Sequence, residues 1–166
     1  MAQFSGALSS YSRYNSGHGN FWTWLEFPAT DEEINKALQK IGNPEETFFS
    51  DWDYSAGMIL DLGEGTSTQE ANEIADFIEN LDDSEQDIFS AILEHRDYDE
   101  AVKIFNDQDY QFYDDCNSET DLGYAVAENF SIPDHLENYI DYEAIGRDYD
   151  QNANGGFTAN GYIEIF

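Results

Sequence analysis

Residues 67–83 read STQEANEIADFIENLDD, the sequence of an amphipathic helix that is also strongly acidic. Ser67 and Glu70 have the spacing of a capping box, in which the N-cap hydroxyl and the N3 carboxylate satisfy each other's backbone amides. Apolar residues then return at intervals of three and four, on one helix face: Ala71, Ile74, Phe77, Ile78 and Leu81. This stretch predicts a helix packed on a hydrophobic core, and therefore a folded protein.

The acids of this helix are also regularly spaced. They fall three residues apart along one side and continue past its end: Glu70, Glu73, Asp76, Glu79, Asp82 and Asp83. Like charges at this spacing each cost roughly 0.2–0.5 kcal/mol of helix stability. No lysine follows any of the first four at the i+4 position to relieve them. Such crowding opposes folding, so a function is needed to explain it.

The whole chain shows the same combination of acids and core-forming residues. It has 36 Asp+Glu against 6 Lys+Arg, a net charge of -30 on 166 residues, together with 12 Phe, 11 Tyr and 3 Trp. Disordered acidic segments are poor in aromatic residues, because they bury too little apolar surface to offset the entropy of folding. A folded body with a dense carboxylate coat is predicted. Its partners should be basic, since nucleic acid and anionic membranes would be repelled.

The flanking sequence predicts an α+β fold. Residues 21–27 alternate as a strand, with Phe21, Thr23, Leu25 and Phe27 on one face and Trp22, Trp24 and Glu26 on the other. Thr30 and Glu33 form a second capping box, opening a helix that ends at Gly42. Further strands are predicted at 47–49, 58–62, 110–113 and 161–166. Further helices are predicted from Ser84, Asp97 and Ser118, and over 134–149.

This order of elements favours an elongated chain of three small units. They are a β-rich N-terminal α+β unit (1–62), a helical unit (63–107) and a mixed α/β C-terminal unit (108–166). B-DNA carries one negative charge per about 1.7 Å of axis, so 30 charges at that density would cover roughly 50 Å. A compact globule of this length has a radius of gyration of only about 15 Å. The charge density thus suggests a DNA mimic, and two chains end to end would cover about 30 base pairs.

Catalysis is not expected. No G-x-S-x-G, H-E-x-x-H, C-x-x-C or phosphate-binding loop occurs, and carboxylate pairs are too numerous for any one to be specific. No cofactor is expected either. The single cysteine, Cys116, follows Asp114 and Asp115, which should disfavour its thiolate, and a lone thiol fits a reducing cytoplasm. No secretory signal or membrane span is visible, so a cytoplasmic location is expected.

One segment resembles half of a calcium-binding loop. Asp150, Asn152 and Asn154 supply oxygen at positions 1, 3 and 5, and Gly155 stands at position 6. Position 12, which needs a bidentate Glu, is Gly161, and a strand rather than a helix follows. A turn rich in Asn and Gly is the better interpretation, with a calcium-binding module as an alternative. Halophilic adaptation, or a role as an acidic chaperone for basic proteins, would also account for so many carboxylates.

Several short motifs, taken in order, resemble the ArdA family of antirestriction proteins, which conjugative plasmids and transposons carry. The opening resembles the family's small-residue strand, Tyr-Asn-x-Gly turn and Trp-containing strand at residues 8–17 and 24–26, followed by the first helix at residues 31–34. Residues 51–54 take the place of a His-Asp-Tyr-Glu segment, with departures at its first and last positions. Residues 139–148, YIDYEAIGRD, are close to the family's Phe-Asp-Tyr-Glu-Ala-x-x-Arg-Asp and are the strongest match.

The resemblance implies a two-fold homodimer whose carboxylates imitate bent B-DNA. It would occupy the methyltransferase core of type I restriction–modification enzymes and block restriction, and with it modification, stoichiometrically. The acidic surface would include Glu70, Glu73, Asp76, Glu79, Asp82, Asp83, Asp87, Asp107, Asp109, Asp114 and Asp115. The family is thought to dimerise through its C-terminal unit, which makes Tyr139, Tyr142 and Ile145 candidates for the interface or for the core of that unit.

Overall fold

The computed structural model describes residues 3–54 and 58–166 and has the predicted α+β fold. Contacts divide the chain into two compact units, Met1–Asp82 and Asp83–Phe166. The predicted three-unit boundaries at residues 62 and 107 stay predictions. Among the described residues, no helix is both long and apolar enough to cross a membrane.

The first unit is built on an antiparallel three-stranded sheet. Its elements are β1 (Phe4–Ser10), α1 (Tyr11–Asn15), β2 (Trp22–Phe27), α2 (Asp31–Lys40), β3 (Thr47–Asp53) and α3 (Thr68–Glu79). The strand order is β2-β1-β3, so β1 is central. The predicted β2 pattern is confirmed, because Leu25 and Phe27 are buried whereas Trp22 and Trp24 are exposed.

Aromatic rings fill one face of this sheet. Phe27 and Phe49 lie edge to face at 5.8 Å between ring centroids, and Phe49 lies 4.3 Å from Trp52. Gly6 of the central strand makes room for these rings, since a Cβ there would lie 2.6 Å from the Phe49 ring. The core of the unit therefore requires glycine in the middle of β1, because any side chain there would displace the aromatic rings.

Both predicted capping boxes are confirmed. The Thr30 hydroxyl accepts a hydrogen bond from the Glu33 amide at 3.3 Å, and the Ser67 hydroxyl accepts one from the Glu70 amide at 3.1 Å. The hydrogen bonds from the Thr30 amide and hydroxyl hold the pKa of Glu33 below its usual value. Helix α3 buries Ala71, Ile74, Ala75 and Ile78, which is close to the predicted apolar face.

The second unit combines four α-helices with another three-stranded sheet. It contains α4 (Asp83–Leu93), α5 (Tyr98–Asp107), β4 (Tyr110–Asp114), α6 (Glu119–Ala127), a 3-10 turn (Glu137–Tyr139), α7 (Tyr142–Asn152), β5 (Gly155–Thr158) and β6 (Gly161–Ile165). The sheet is antiparallel with the order β4-β6-β5. Its core includes Cys116, Leu122, Val126 and Tyr162, with Ile145 packed against them.

Helices α6 and α7 pack backbone to backbone. A Cβ on Gly123 would lie 1.8 Å from the Tyr142 carbonyl oxygen, and one on Gly146 would lie 1.7 Å from the Glu119 carbonyl oxygen. Arg147 joins the same two helices, because its guanidinium bonds Glu119 at 3.0 Å and Glu143 at 2.6 Å. The two glycines thus set the distance between the helices.

Four segments differ from what the sequence predicts. Residues 58–62 form no strand, and Asp61 has a φ of 50°, which breaks an extended run. The single helix predicted over 134–149 is instead the 3-10 turn followed by α7, separated at Ile140 and Asp141. Strand β5 was not predicted, because two of its residues are Gly155 and Gly156. Helix α1, also not predicted, has only five residues and no buried ones.

Burial governs the chemistry of Cys116. The residue is 3 % exposed, and burial, with a smaller effect from Asp121, raises the pKa of its thiol to about 11. The predicted inertness of this thiol agrees with that shift, although the neighbouring acid responsible is Asp121 rather than Asp114 or Asp115.

This raised pKa predicts a loss of stability in alkali. Above about pH 9 the thiol of the unfolded chain ionises while the native thiol keeps its proton, so the free energy of unfolding falls as pH rises toward 11. The loss should approach about 2–3 kcal/mol, because each tenfold difference in proton affinity between the two states corresponds to about 1.4 kcal/mol. Urea unfolding from pH 8 to 11 of the protein and of Cys116→Ala checks it. Parallel curves for the two would contradict the assignment.

Candidate acidic interaction surface

The carboxylates lie at the surface throughout the chain. None of the 36 is buried, and all are exposed except Glu85, Glu119, Asp150 and Glu164, which are half-buried. Every acid predicted for the interaction surface is among the exposed ones, from Glu70 on α3 to Asp114 at the end of β4 and Asp115 after it. The structure therefore leaves all of them accessible to a partner.

The acids of α3 form a row opposite its buried face. Glu70, Glu73 and Asp76 are exposed, while the helix packs through Ala71 and Ile74. A helix rises 1.5 Å per residue, so acids three residues apart stand about 4.5 Å apart along the axis. The phosphates of one DNA strand are about 3.4 Å apart when measured along the axis of the double helix. The row thus has a charge spacing similar to that of one nucleic acid strand.

The sheet of the first unit adds two more carboxylates. Glu26 on β2 and Asp53 on β3 both pair with Ser5 of the central strand, so their side chains lie on the same face. Two strand spacings separate them, which is about 10 Å. This is the face opposite the aromatic core, since Phe4 and Phe27 occupy the other one.

In the second unit, many acids stand at helix starts. Asp97 caps α5 by accepting from the Glu100 amide at 2.9 Å, and Asp141 caps α7 by accepting from the Ala144 amide at 3.0 Å. Helices α4, α5, α6 and α7 each carry one or two acids in the first turn as well. Negative charge is favourable there because of the helix dipole and the unpaired amides. These positions let the chain carry acids at little cost to folding.

Several of the few basic side chains pair within the chain. Lys36 bonds Glu32 at 2.8 Å, and Arg147 bonds both Glu119 and Glu143. Arg13 donates to the backbone oxygens of Asn20 and Lys40. These cations are occupied by local partners, so they leave most of the carboxylate coat uncompensated.

Self-repulsion of this coat predicts that salt stabilises the protein. The Debye length falls from about 30 Å at 0.01 M to about 3 Å at 1 M, which screens exposed carboxylates from one another. We expect the melting temperature to rise by several degrees over that range of NaCl, most steeply at the low end. Scanning calorimetry measures it. A flat or falling response would mean that the carboxylates are not crowded.

The predicted dimer residues have three different environments in the second unit. Tyr139 is 84 % exposed on the 3-10 turn. Tyr142 is half-buried and stacks on exposed Tyr124 with ring centroids 3.9 Å apart, whereas Ile145 packs into the core of the unit. Phe130 and Leu136 are exposed on the same connection between α6 and α7. Tyr139 and the Tyr124–Tyr142 stack are thus available to a partner, and Ile145 is not.

The calcium-loop residues do not converge. Asp150 and Asn152 lie on α7, where residues two apart point in nearly opposite directions. The Asn152 amide donates to the Asp148 carbonyl oxygen, and the Asn154 side-chain oxygen accepts from the Arg96 guanidinium at 3.0 Å. Within residues 3–54 and 58–166, no group of three or more His, Cys, Asp or Glu is arranged to hold a metal ion.

One exposed aromatic pair was not predicted to be functional from the sequence. Trp22 and Trp24 lie edge to face, with ring centroids 6.0 Å apart, on the face of β2 that is away from the aromatic core. The alternation of residues 21–27 already indicates this pair, because it places two indoles on the strand face that is expected to be polar.

The comparisons with known proteins give a family. The family model described as "Antirestriction protein (ArdA)" matches residues 8–164 of the 166. No curated protein matches the chain.

Proposed function

The chain belongs to the ArdA family of antirestriction proteins, and from this premise we propose that it inhibits type I restriction–modification enzymes as a mimic of B-DNA. Membership supports an antirestriction function, and with it a restriction–modification enzyme as partner. The finer proposal is that carboxylates take the place of DNA phosphates in the cleft of the methyltransferase core. Inhibition would then be stoichiometric occlusion, with no chemical step and no cofactor.

The observation that carries this proposal is the exposure of the carboxylate coat on a folded body. A cleft that binds DNA neutralises phosphates with Lys and Arg, and it would meet exposed carboxylates at similar spacing along α3. Complementary charge of this kind speeds association and selects partners. Because exposed ion pairs are each worth only about 0.2–1 kcal/mol, the affinity would be spread over many contacts.

We further propose that the inhibitor is a homodimer joined through its second unit. Tyr124 and Phe130 line one groove with Tyr142, and Tyr139 is exposed on the connection between α6 and α7 that borders it in sequence. Exposed aromatic patches mark interaction sites, and aromatic residues are enriched in dimer interfaces. Sedimentation of the Tyr139→Ser variant beside the unchanged protein tests this, and an unchanged dimerisation constant would place the interface elsewhere.

A competition assay tests the mimic. A labelled duplex bearing a type I recognition site is bound to the methyltransferase core, and the protein is titrated in at physiological salt. We expect displacement near one dimer per enzyme. A basic DNA-binding protein of unrelated fold serves as the control and should keep its duplex. Failure to displace the duplex at large excess would contradict the mimic.

The same assay separates the mimic from an acidic chaperone for basic proteins. A chaperone should bind any polycation and would release the control duplex as readily as the enzyme-bound one.

Calorimetric titration with calcium tests a calcium-binding module built on Asp150, Asn152 and Asn154. Heat of binding in that titration would favour such a module, and an absence of heat would remove it.

A further inference from the structure

The exposed indole pair on β2 stands out against the rest of the first unit. Trp22 is 46 % exposed and Trp24 is 44 % exposed, although Trp is among the residues that lose most by remaining in water. Trp52, in contrast, packs on Phe49 and donates its indole hydrogen to the Gly63 carbonyl oxygen at 3.3 Å. The pair on β2 therefore contributes to something other than the aromatic core.

The strand register places carboxylates beside the indoles. Trp24 is followed at the next position on the same face by Glu26, about 7 Å along the strand. Glu26 and Asp53 flank Ser5 across the sheet on that face. One sheet face of the first unit thus carries two aromatic rings at one end and two carboxylates at the other.

Edge-to-face geometry keeps part of the indole surface free. The two ring planes meet at 82°, so the ring that presents its edge has neither of its faces covered by the other indole. Trp24 also lines a groove with Glu26 and with Lys36 and Lys40 of α2, and it keeps 44 % of its surface exposed. An aromatic face attracts a cation through its negative quadrupole, and the guanidinium of Arg both stacks on a ring and bonds a carboxylate. A site with indole faces beside carboxylates suits arginine better than it suits an apolar side chain.

We propose that Trp22 and Trp24 form an aromatic anchor that binds arginine side chains of the basic cleft of the target enzyme, with Glu26 and Asp53 pairing the same cationic surface. This inference rests on the proposed function and names a contact that charge matching alone would lack. Trp and Arg are among the residues most often found at energetic centres of interfaces. Charge complementarity between a chain of net charge -30 and a phosphate-binding cleft brings basic side chains to the acidic surface, and Glu26 and Asp53 are exposed carboxylates on this face.

The anchor predicts a component of affinity that salt does not weaken. In the competition assay, W22A/W24A should bind the methyltransferase core about tenfold more weakly than the unchanged protein. The slope of log Kd against log salt between about 50 and 200 mM should stay the same, because no carboxylate is lost. The matched variant E26Q/D53N should lower that slope. Affinity of W22A/W24A equal to that of the unchanged protein would overturn the anchor.

Two measurements keep a folding defect separate from a lost contact. Trp52 is the only tryptophan left in W22A/W24A, so its emission and the melting temperature report whether the first unit is intact. Should that variant not fold, W22L/W24L replaces it, since leucine keeps an apolar body without an aromatic face. Its binding should also weaken about tenfold, and unchanged binding would overturn the anchor.

The outcome for the unchanged protein separates the two proposals. If the unchanged protein fails to displace the duplex, the mimic is contradicted and the anchor falls with it. If it displaces the duplex and the tryptophan variants do so equally well at every salt concentration, the anchor alone is overturned.

Discussion

Replacing Gly146 with alanine is expected to lower the free energy of unfolding of the second unit by about 3 kcal/mol. The new Cβ would lie 1.7 Å from the Glu119 carbonyl oxygen and 2.8 Å from the Gly123 amide nitrogen, both of them backbone atoms that no rotamer change can move aside. Relief requires α6 and α7 to separate, which would weaken the Arg147 bonds to Glu119 and open the core around Leu122.

The direction of the stability change for Gly146→Ala distinguishes close helix packing from helix propensity, because the two predict opposite signs. In an exposed helix, alanine is more favourable than glycine by about 1 kcal/mol, so helix propensity alone predicts stabilisation. Urea unfolding followed by circular dichroism measures the difference. Gly19→Ala serves as the control, because no atom lies within 4 Å of the Cβ position there and it should change stability little. A stabilised Gly146→Ala variant would show that the two helices are farther apart than a Cβ distance of 1.7 Å to the Glu119 carbonyl oxygen implies.

Neutralising the acid row on α3 should weaken inhibition while it strengthens the fold. In the triple variant E70Q/E73Q/D76N, the like-charge pairs along the row disappear, and the protein should gain about 1 kcal/mol of stability. Glutamine at position 70 can still complete the capping box. Three exposed ionic contacts of about 0.5 kcal/mol each are lost in the complex, so the competition Kd should rise about tenfold at low salt.

A charge-matched variant shows whether position matters. E45Q/E46Q/D61N removes the same three charges from exposed sites in the same unit but outside the row. Both effects should be smaller there, and single changes within the row should do little because the contacts are many. A triple row variant that binds as tightly as the unchanged protein would mean that α3 does not face the enzyme. One single substitution that abolished inhibition would contradict spread binding.

The sequence predicts this fold best where local chemistry decides. Both capping boxes and the caps Asp97 and Ser118 lie as expected, because each depends on a cap side chain that accepts from the backbone amide three residues later. Strand β5 depends on pairing with β6, where Gly155 allows the close approach of Ile163, and nothing in its own composition favours a strand. Residues 58–62 show the reverse case. Their apolar run predicted a strand, but the positive φ of Asp61 interrupts the extended backbone.

The sequence predicted which acids would be exposed, but it did not predict which aromatic residues would be exposed beside them. Net charge and spacing placed the acids outside, and every acid predicted for the surface is exposed. Which aromatic residues remain exposed is decided by tertiary packing. Tyr139 and Ile145 lie six residues apart in one motif, yet one faces water and the other packs in the core. The partial exposure of Trp22 and Trp24 could be seen only once the packing around the sheet was known.

The carboxylates of the coat fall into two groups, which different kinds of selection would maintain. One group lies at helix caps and in first turns, and the other lies in the middle of α3. Asp97 and Asp141 start helices, so purifying selection on folding alone would retain them. The exposed acids in the middle of α3 cost stability, so the proposed inhibition would be the benefit that maintains them. A gene copy released from the need to inhibit would be expected to lose the row on α3 first. It would remain a folded acidic protein long after it ceased to act in antirestriction.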